Sequence, residues 1–191
     1  MYLTIDSDLE PPMPGIEVIP VNMQLTFEGE ADAKVPDDLN IEWILDKGAE
    51  KLFTLEDGRT VNRKIIYPKK SGRANLTVKA DGVGMLIYPI KICIPQSHIE
   101  SVKTGKKSLK VKVQNLKYAG ISHYELAYRV KGAKTWKTKS FSAASNVLRL
   151  TGLKNGKRYQ VKARAWTKDA YGKYYGSYSN VELSGKVGRK K

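Results

Sequence analysis

The stretch LTGLKNGKRYQVKARAW, Leu150 to Trp166, decides the reading of the chain. Leu153 and Tyr159 lie six residues apart, with Asn155-Gly156 between them. Asn-Gly accommodates positive φ, so the chain can turn tightly there. The spacing predicts that the Tyr159 ring enters a core while its hydroxyl bonds back to the backbone near the turn, the tyrosine corner of Greek-key sandwiches. Beyond the turn, alternation sends Val161, Ala163 and Ala165 inward with Tyr159. It sends Lys162, Arg164 and Trp166 the other way.

The segments around this stretch carry the same two-residue period. SLKVKVQ, HYELAYRV, TWKTKSF, NVLRLTGL and YYGSYSNVELS alternate between turn residues, and no segment sustains a helical period. The first half is also β in pattern. VNMQLTF alternates, and IEWIL places Ile41, Trp43 and Leu45 on one face. Asp57-Gly58 is a hairpin-type turn signal. KIIYP follows, then SGRANLTVKADG with Ala74, Leu76, Val78 and Ala80 on one face, then YPIKICI. Strands of this length between Gly, Asp and Pro turns predict β-sandwiches. The expected architecture is all-β: two tandem β-sandwich domains, residues 16–97 and 98–185. They are flanked by an extended Pro-rich arm, 1–15, and a basic tail, 186–191. Pro11, Pro12 and Pro14 exclude a helix from the arm. Tyr2, Leu3 and Ile5 give its tip a strand-like, apolar character suited to docking on a partner's sheet edge.

The chain has 191 residues, 41% of them hydrophobic, and no apolar run of membrane-spanning length, so no membrane insertion is expected. Its N-terminus has acidic residues and prolines where a signal peptide would have cations and an apolar run. The expectation is a protein that stays in the cell that makes it, or a fragment of a longer chain. Cys93 is the one cysteine, which excludes an internal disulfide and a multi-cysteine metal site. It is expected as a small buried residue, on the face of Tyr88 or the opposite one depending on a kink at Pro89. Charge is divided unevenly. Residues 1–97 hold 11 Lys and Arg against 15 Asp and Glu; residues 98–191 hold 23 against 4, a net of +19. Such asymmetry sets the second half against something anionic.

IEWIL, EDGRTV and KKSGRANLTVKADG together resemble the bacterial Ig-like group 2 module, over most of residues 16–95. The second half resembles a fibronectin type III domain of the bacterial kind, over residues 98–185. That resemblance rests on Leu153, Gly156 and Tyr159, on Tyr124, Leu126 and Tyr128, and on Gly176 and Ser179. The family usually carries a Trp on its second strand, where this chain has Val113; Tyr118 or Trp136 is expected to fill the core instead. No Arg-Gly-Asp motif is present, so integrin binding is not implied.

Residues for catalysis are few. His98 and His123 are the only histidines, and neither has a metal-ligand spacing. His123 begins a strand opposite in face to Tyr124, which predicts a surface role. No Ser has a recognisable nucleophile elbow. Asp6 with Asp8, and Asp37 with Asp38, lack the Gly and distal Glu of a calcium loop and are expected as turn carboxylates. The chain is therefore expected to be no enzyme, with no cofactor and no metal.

The cations are the remaining signal. Lys110, Lys112 and Arg149 should face solvent on one sheet; Lys162 and Arg164 on the other, near Arg129. The loop TKDAYGKYYG adds Lys168 and Lys173 among Tyr171, Tyr174 and Tyr175. Specific nucleic-acid readout has no candidate helix. An acidic protein shell or anionic cell-envelope glycans would suit a surface of Tyr and Lys. The two families resemble spacers and adhesion units of bacterial surface proteins, and they recur in bacteriophage virion proteins. The expected function is a virion accessory protein, a head decoration or tail component. Its partners would be capsid or tail proteins, or further copies of itself. The alternative is an adhesion or spacer module of a bacterial surface or secreted carbohydrate-active protein.

Overall fold

The computed structural model describes residues 3–7, 17–20, 25–31, 40–57, 63–82 and 84–188; for the first three segments and for Arg63 only the backbone is described. The chain divides into two compact units, residues 1–93 with 169–172, and residues 94–168 with 173–191. The described residues are all-β apart from two single-turn 3₁₀ segments, Ala49–Lys51 and Lys117–Ala119.

The first unit contains β1 (Leu3–Ser7), β2 (Glu17–Pro20), β3 (Leu25–Ala31), β4 (Ile41–Leu45), β5 (Phe53–Asp57), β6 (Arg63–Pro68), β7 (Gly72–Ala80) and β8 (Gly84–Cys93). They form two sheets, ordered β1-β3-β6-β5 and β2-β8-β7-β4. All pairings are antiparallel except β2 with β8, which is parallel. Strict alternation on β7 buries Ala74, Leu76, Val78 and Ala80. Ala74, Leu76 and Val78 share a core with Phe53 and Ile66 of the other sheet, with Trp43, Leu45 and Tyr88 packed around them. Each large apolar side chain so buried contributes roughly 1.5–3 kcal/mol.

Three expectations change here. Residues 1–15 are not wholly a free arm: the backbone of Leu3–Ser7 pairs antiparallel with β3, from Leu3 opposite Ala31 to Ser7 opposite Phe27. Its alternating tip finds a strand partner within the chain. Tyr2 and the side chains of Leu3 and Ile5 lie outside what the structure describes. Asp6 falls within this strand rather than a turn; Asp8, Asp37 and Asp38 are outside the described residues. Cys93 is half-buried rather than buried. Alternation runs unbroken through Pro89, so Ile90 and Ile92 enter the core with Tyr88 and Cys93 falls on the opposite face. The hairpin signal at Asp57-Gly58 holds: β5 and β6 are consecutive antiparallel strands, with Asp57 opposite Lys64.

The second unit contains β9 (Ile99–Gly105), β10 (Ser108–Val113), β11 (His123–Val130), β12 (Lys137–Ser142), β13 (Val147–Thr151), β14 (Tyr159–Asp169), β15 (Gly172–Tyr175) and β16 (Glu182–Leu183). One sheet is ordered β13-β10-β9; the other is ordered β12-β11-β14-β15, with β16 also pairing β14. Leu109, Val111, Val113, Leu148 and Leu150 face Tyr124, Leu126, Val161, Ala163 and Ala165, all at or near zero exposure. The tyrosine corner forms as its spacing predicts. Tyr159 is buried and its hydroxyl accepts from the Lys154 N–H at 2.9 Å, while Gly156 takes φ +73°, a value that disfavours side chains.

Neither Tyr118 nor Trp136 replaces the missing Trp. Tyr118 is 54% exposed on its 3₁₀ turn, and Trp136 lies on the outer face. Tyr124 is the largest side chain wholly inside; its hydroxyl donates to Gln114 O at 2.9 Å and accepts from Leu116 N–H at 2.8 Å. The basic tail is also shorter than 186–191. Val187 is 1% exposed, accepts from Gly156 N–H at 2.7 Å and donates to Lys157 O at 3.0 Å. The Asn155-Gly156 turn thus holds the chain through Gly188; residues 189–191 lie outside the described part.

Candidate functional site

The cations of the second unit sit in two unlike settings. On the β12-β11-β14-β15 sheet they are interleaved with aromatic rings. Arg129 lies over Trp136 at 4.3 Å; Lys162 lies over Trp136 at 4.9 Å and Tyr178 at 4.2 Å. Arg164 lies over Tyr178 at 4.4 Å and Tyr175 at 3.9 Å. Tyr175 leans on Trp166, over which Lys173 sits at 4.6 Å, and His123 stacks on Trp166 at 4.2 Å. Glu125, 8% exposed, accepts from Arg164 Nε at 2.9 Å and from the Tyr178 hydroxyl at 2.7 Å. Burial, followed by the bond to Glu125, pushes the Tyr178 hydroxyl up to about 12.

These cations already have partners. Each cation–π contact contributes about 0.5–1 kcal/mol where exposed and more where desolvated. The ladder covers Trp166, which explains why it is buried although it points away from the core. Sequence reasoning placed Lys162 and Arg164 on this sheet, put Lys173 and Tyr175 in a loop where the structure has β15, and missed Trp136 and Tyr178, which come from outside the strands. Lys168 is exposed at the end of the sheet, and Tyr174 is half-buried. Tyr171 falls in the 169–172 segment of the first unit, where its hydroxyl donates to Asp46 Oδ2 at 2.7 Å and accepts from Asn75 Nδ2 at 2.9 Å. Of the expected group Lys168, Tyr171, Lys173, Tyr174 and Tyr175, the ring contacts above include Lys173 and Tyr175.

The β13-β10-β9 sheet differs. Lys110 stands directly opposite Arg149 on one side and Lys103 on the other. All three are exposed, and among the described residues none has a carboxylate partner. Like charges directly opposite destabilise a sheet, so fold stability alone gives no reason for this row. Lys112, two pairs further along and on the same face, is bonded to Glu100 at 2.8 Å. Ser101, Lys103, Lys110, Lys112 and Val147 line a shallow depression of ≈ 280 Å³. The outward alternation of Lys110, Lys112 and Arg149 was readable in the sequence; Lys103 was not, because IESVKTG has no clean apolar period.

Among the described residues, no group of three or more His, Cys, Asp or Glu is placed to share a metal ion. No helix among them is long and apolar enough to cross a membrane.

No family profile matches the sequence, and no curated protein sequence matches it. Solved structures do. A two-domain fibronectin type III segment of chicken tenascin aligns with 97% of this chain and 98% of its own, at 10% identity and a TM-score of 0.60. The FN1–FN3 domains of chicken CNTN1 align with 89% of this chain at 15% identity and a TM-score of 0.43; the chain spans 65% of that structure's length. A myokine structure aligns with 49% of this chain and 99% of its own, at 14% identity and a TM-score of 0.39. With the tenascin segment as the basis, the chain has a fibronectin type III-like, all-β sandwich fold.

Proposed function

We propose that this chain is a non-enzymatic structural and adhesion protein, whose second unit presents a basic face to an anionic surface. The observation that carries the reading is the row Lys103–Lys110–Arg149, without a carboxylate partner among the described residues, in a stretch, residues 98–191, that holds 23 cations against 4 anions. A row that costs stability and has no carboxylate partner among the described residues is explained by an external one. The strand order of the first unit supports reading it as an Ig-like module of the bacterial group 2 type: β1-β3-β6-β5 against β4-β7-β8 follows the ABED and CFG sheets of that sandwich. The finer proposal is a bacteriophage virion accessory protein, a head decoration or tail component, with the acidic unit on the particle and the basic unit outward. An antibody against the purified chain, applied to gradient-purified particles from cells that make it, tests this. Regular labelling of heads or tails is the expected result. Labelling confined to the cell envelope would replace it with a surface adhesion module.

A further inference from the structure

We infer that the outer face of β9, β10 and β13 is a binding site for a linear anionic polysaccharide carrying one acidic group per sugar ring, laid across the strands. The inference rests on the proposed anionic docking and names the partner's chemistry. Lys103, Lys110 and Arg149 occupy one row, so their stations repeat at the inter-strand spacing of about 4.8 Å. A polyanion with one charge on every repeat unit is complementary to three exposed cations in a row, and the long Lys and Arg side chains can reach charges on either side of it. An acidic peptide carries the same sign of charge, so the test sets polyglutamate beside the glycan. Single-stranded nucleic acid binds through stacking on aromatic rings, and β9, β10 and β13 contain none.

Hydroxyls flank the cations. Ser108 and Thr151 form the neighbouring cross-strand pair on one side, and Ser101 stands opposite Lys112 on the other. A polyhydroxylated ligand can exchange hydrogen bonds with these, whereas a polyphosphate presents acceptors alone. On the other sheet Arg129, Lys162, Arg164 and Lys173 are already held by Trp136, Tyr178, Tyr175, Trp166 and Glu125.

The test compares the full chain with a triple variant, Lys103→Gln, Lys110→Gln and Arg149→Gln, and with a charge-matched control, Lys131→Gln, Lys134→Gln and Lys157→Gln. All six residues are exposed. Removing the row relieves like-charge repulsion, so its variant should melt no lower than the parent. The probes are fluorescent oligogalacturonate, polyglutamate and a thymidine oligonucleotide, each at about 50 mM and about 200 mM salt. The expected result is salt-dependent binding of oligogalacturonate in preference to the other two, weakened at least about tenfold by the row variant and less than about threefold by the control. Equal loss in both variants would overturn the assignment to this face. Row-dependent binding that favours polyglutamate or the oligonucleotide would overturn the glycan and leave anionic docking standing. Failure of all three probes to bind would overturn the docking reading itself.

Discussion

Tyr159 joins the sequence to the second unit's core through one ring and one hydroxyl. The ring is 5% exposed, and the hydroxyl bonds the Lys154 amide beside the Asn155-Gly156 turn. Tyr159→Phe keeps the ring and deletes the bond. A net loss of about 0.5–1.5 kcal/mol is expected, read as a lower midpoint in urea. An unchanged midpoint would show that the corner does not contribute. Tyr178 gives a pH signature. Its hydroxyl ionises near 10.0 when unperturbed and near about 12 in the fold. Folding therefore favours the protonated form: this stabilisation is complete below pH 10, and is lost as pH rises from there through about 12. Tyr178→Phe should make stability fall less steeply across that window. It should not flatten it fully, because burial also raises the Tyr124 hydroxyl. A variant as alkali-sensitive as the parent would contradict the raised ionisation of Tyr178.

At the scale of elements, β14 shows what alternation reveals and what it hides. Val161, Ala163 and Ala165 are core residues, as the two-residue period says. The period also sends Lys162 and Arg164 outward, but outward is not the same as solvated. Their aromatic partners Trp136 and Tyr178 come from irregular segments whose placement depends on tertiary packing. The ladder was therefore illegible although each of its residues was visible. Leu3–Ser7 was misjudged for a similar reason: its strand character was legible, its partner β3 was not. The final Gly-x-x-Ser was legible as a pattern, and the structure supplies its cause. A Cβ at Gly176 would lie 2.7 Å from Ile94 Cγ2, so the chain passes there only as glycine. Ser179 then continues the edge of β14: its amide donates to Ala163 O at 2.7 Å, and its hydroxyl accepts from Ala163 N–H at 3.0 Å. Ser179→Ala leaves that buried amide with one partner fewer, and should cost about 1–3 kcal/mol. Amide exchange should quicken at Ala163 above the general change; a uniform change would argue against this bond.

For the whole molecule, charge division was the most legible functional feature, and its meaning depends on sorting the cations. On one sheet of the second unit, Arg129, Lys162, Arg164 and Lys173 lie against aromatic rings, and Glu125 pairs with Arg164. The other lines up Lys103, Lys110 and Arg149 with no carboxylate among the described residues. Composition cannot make that distinction, because it counts both sets alike. The most direct measurement is a two-dimensional amide NMR titration of the 191-residue chain with oligogalacturonate. The account predicts shifts concentrated at Lys103, Lys110, Arg149 and their neighbours on β9, β10 and β13. Shifts concentrated instead at Lys162, Arg164 and Lys173, with the row unmoved, would contradict it.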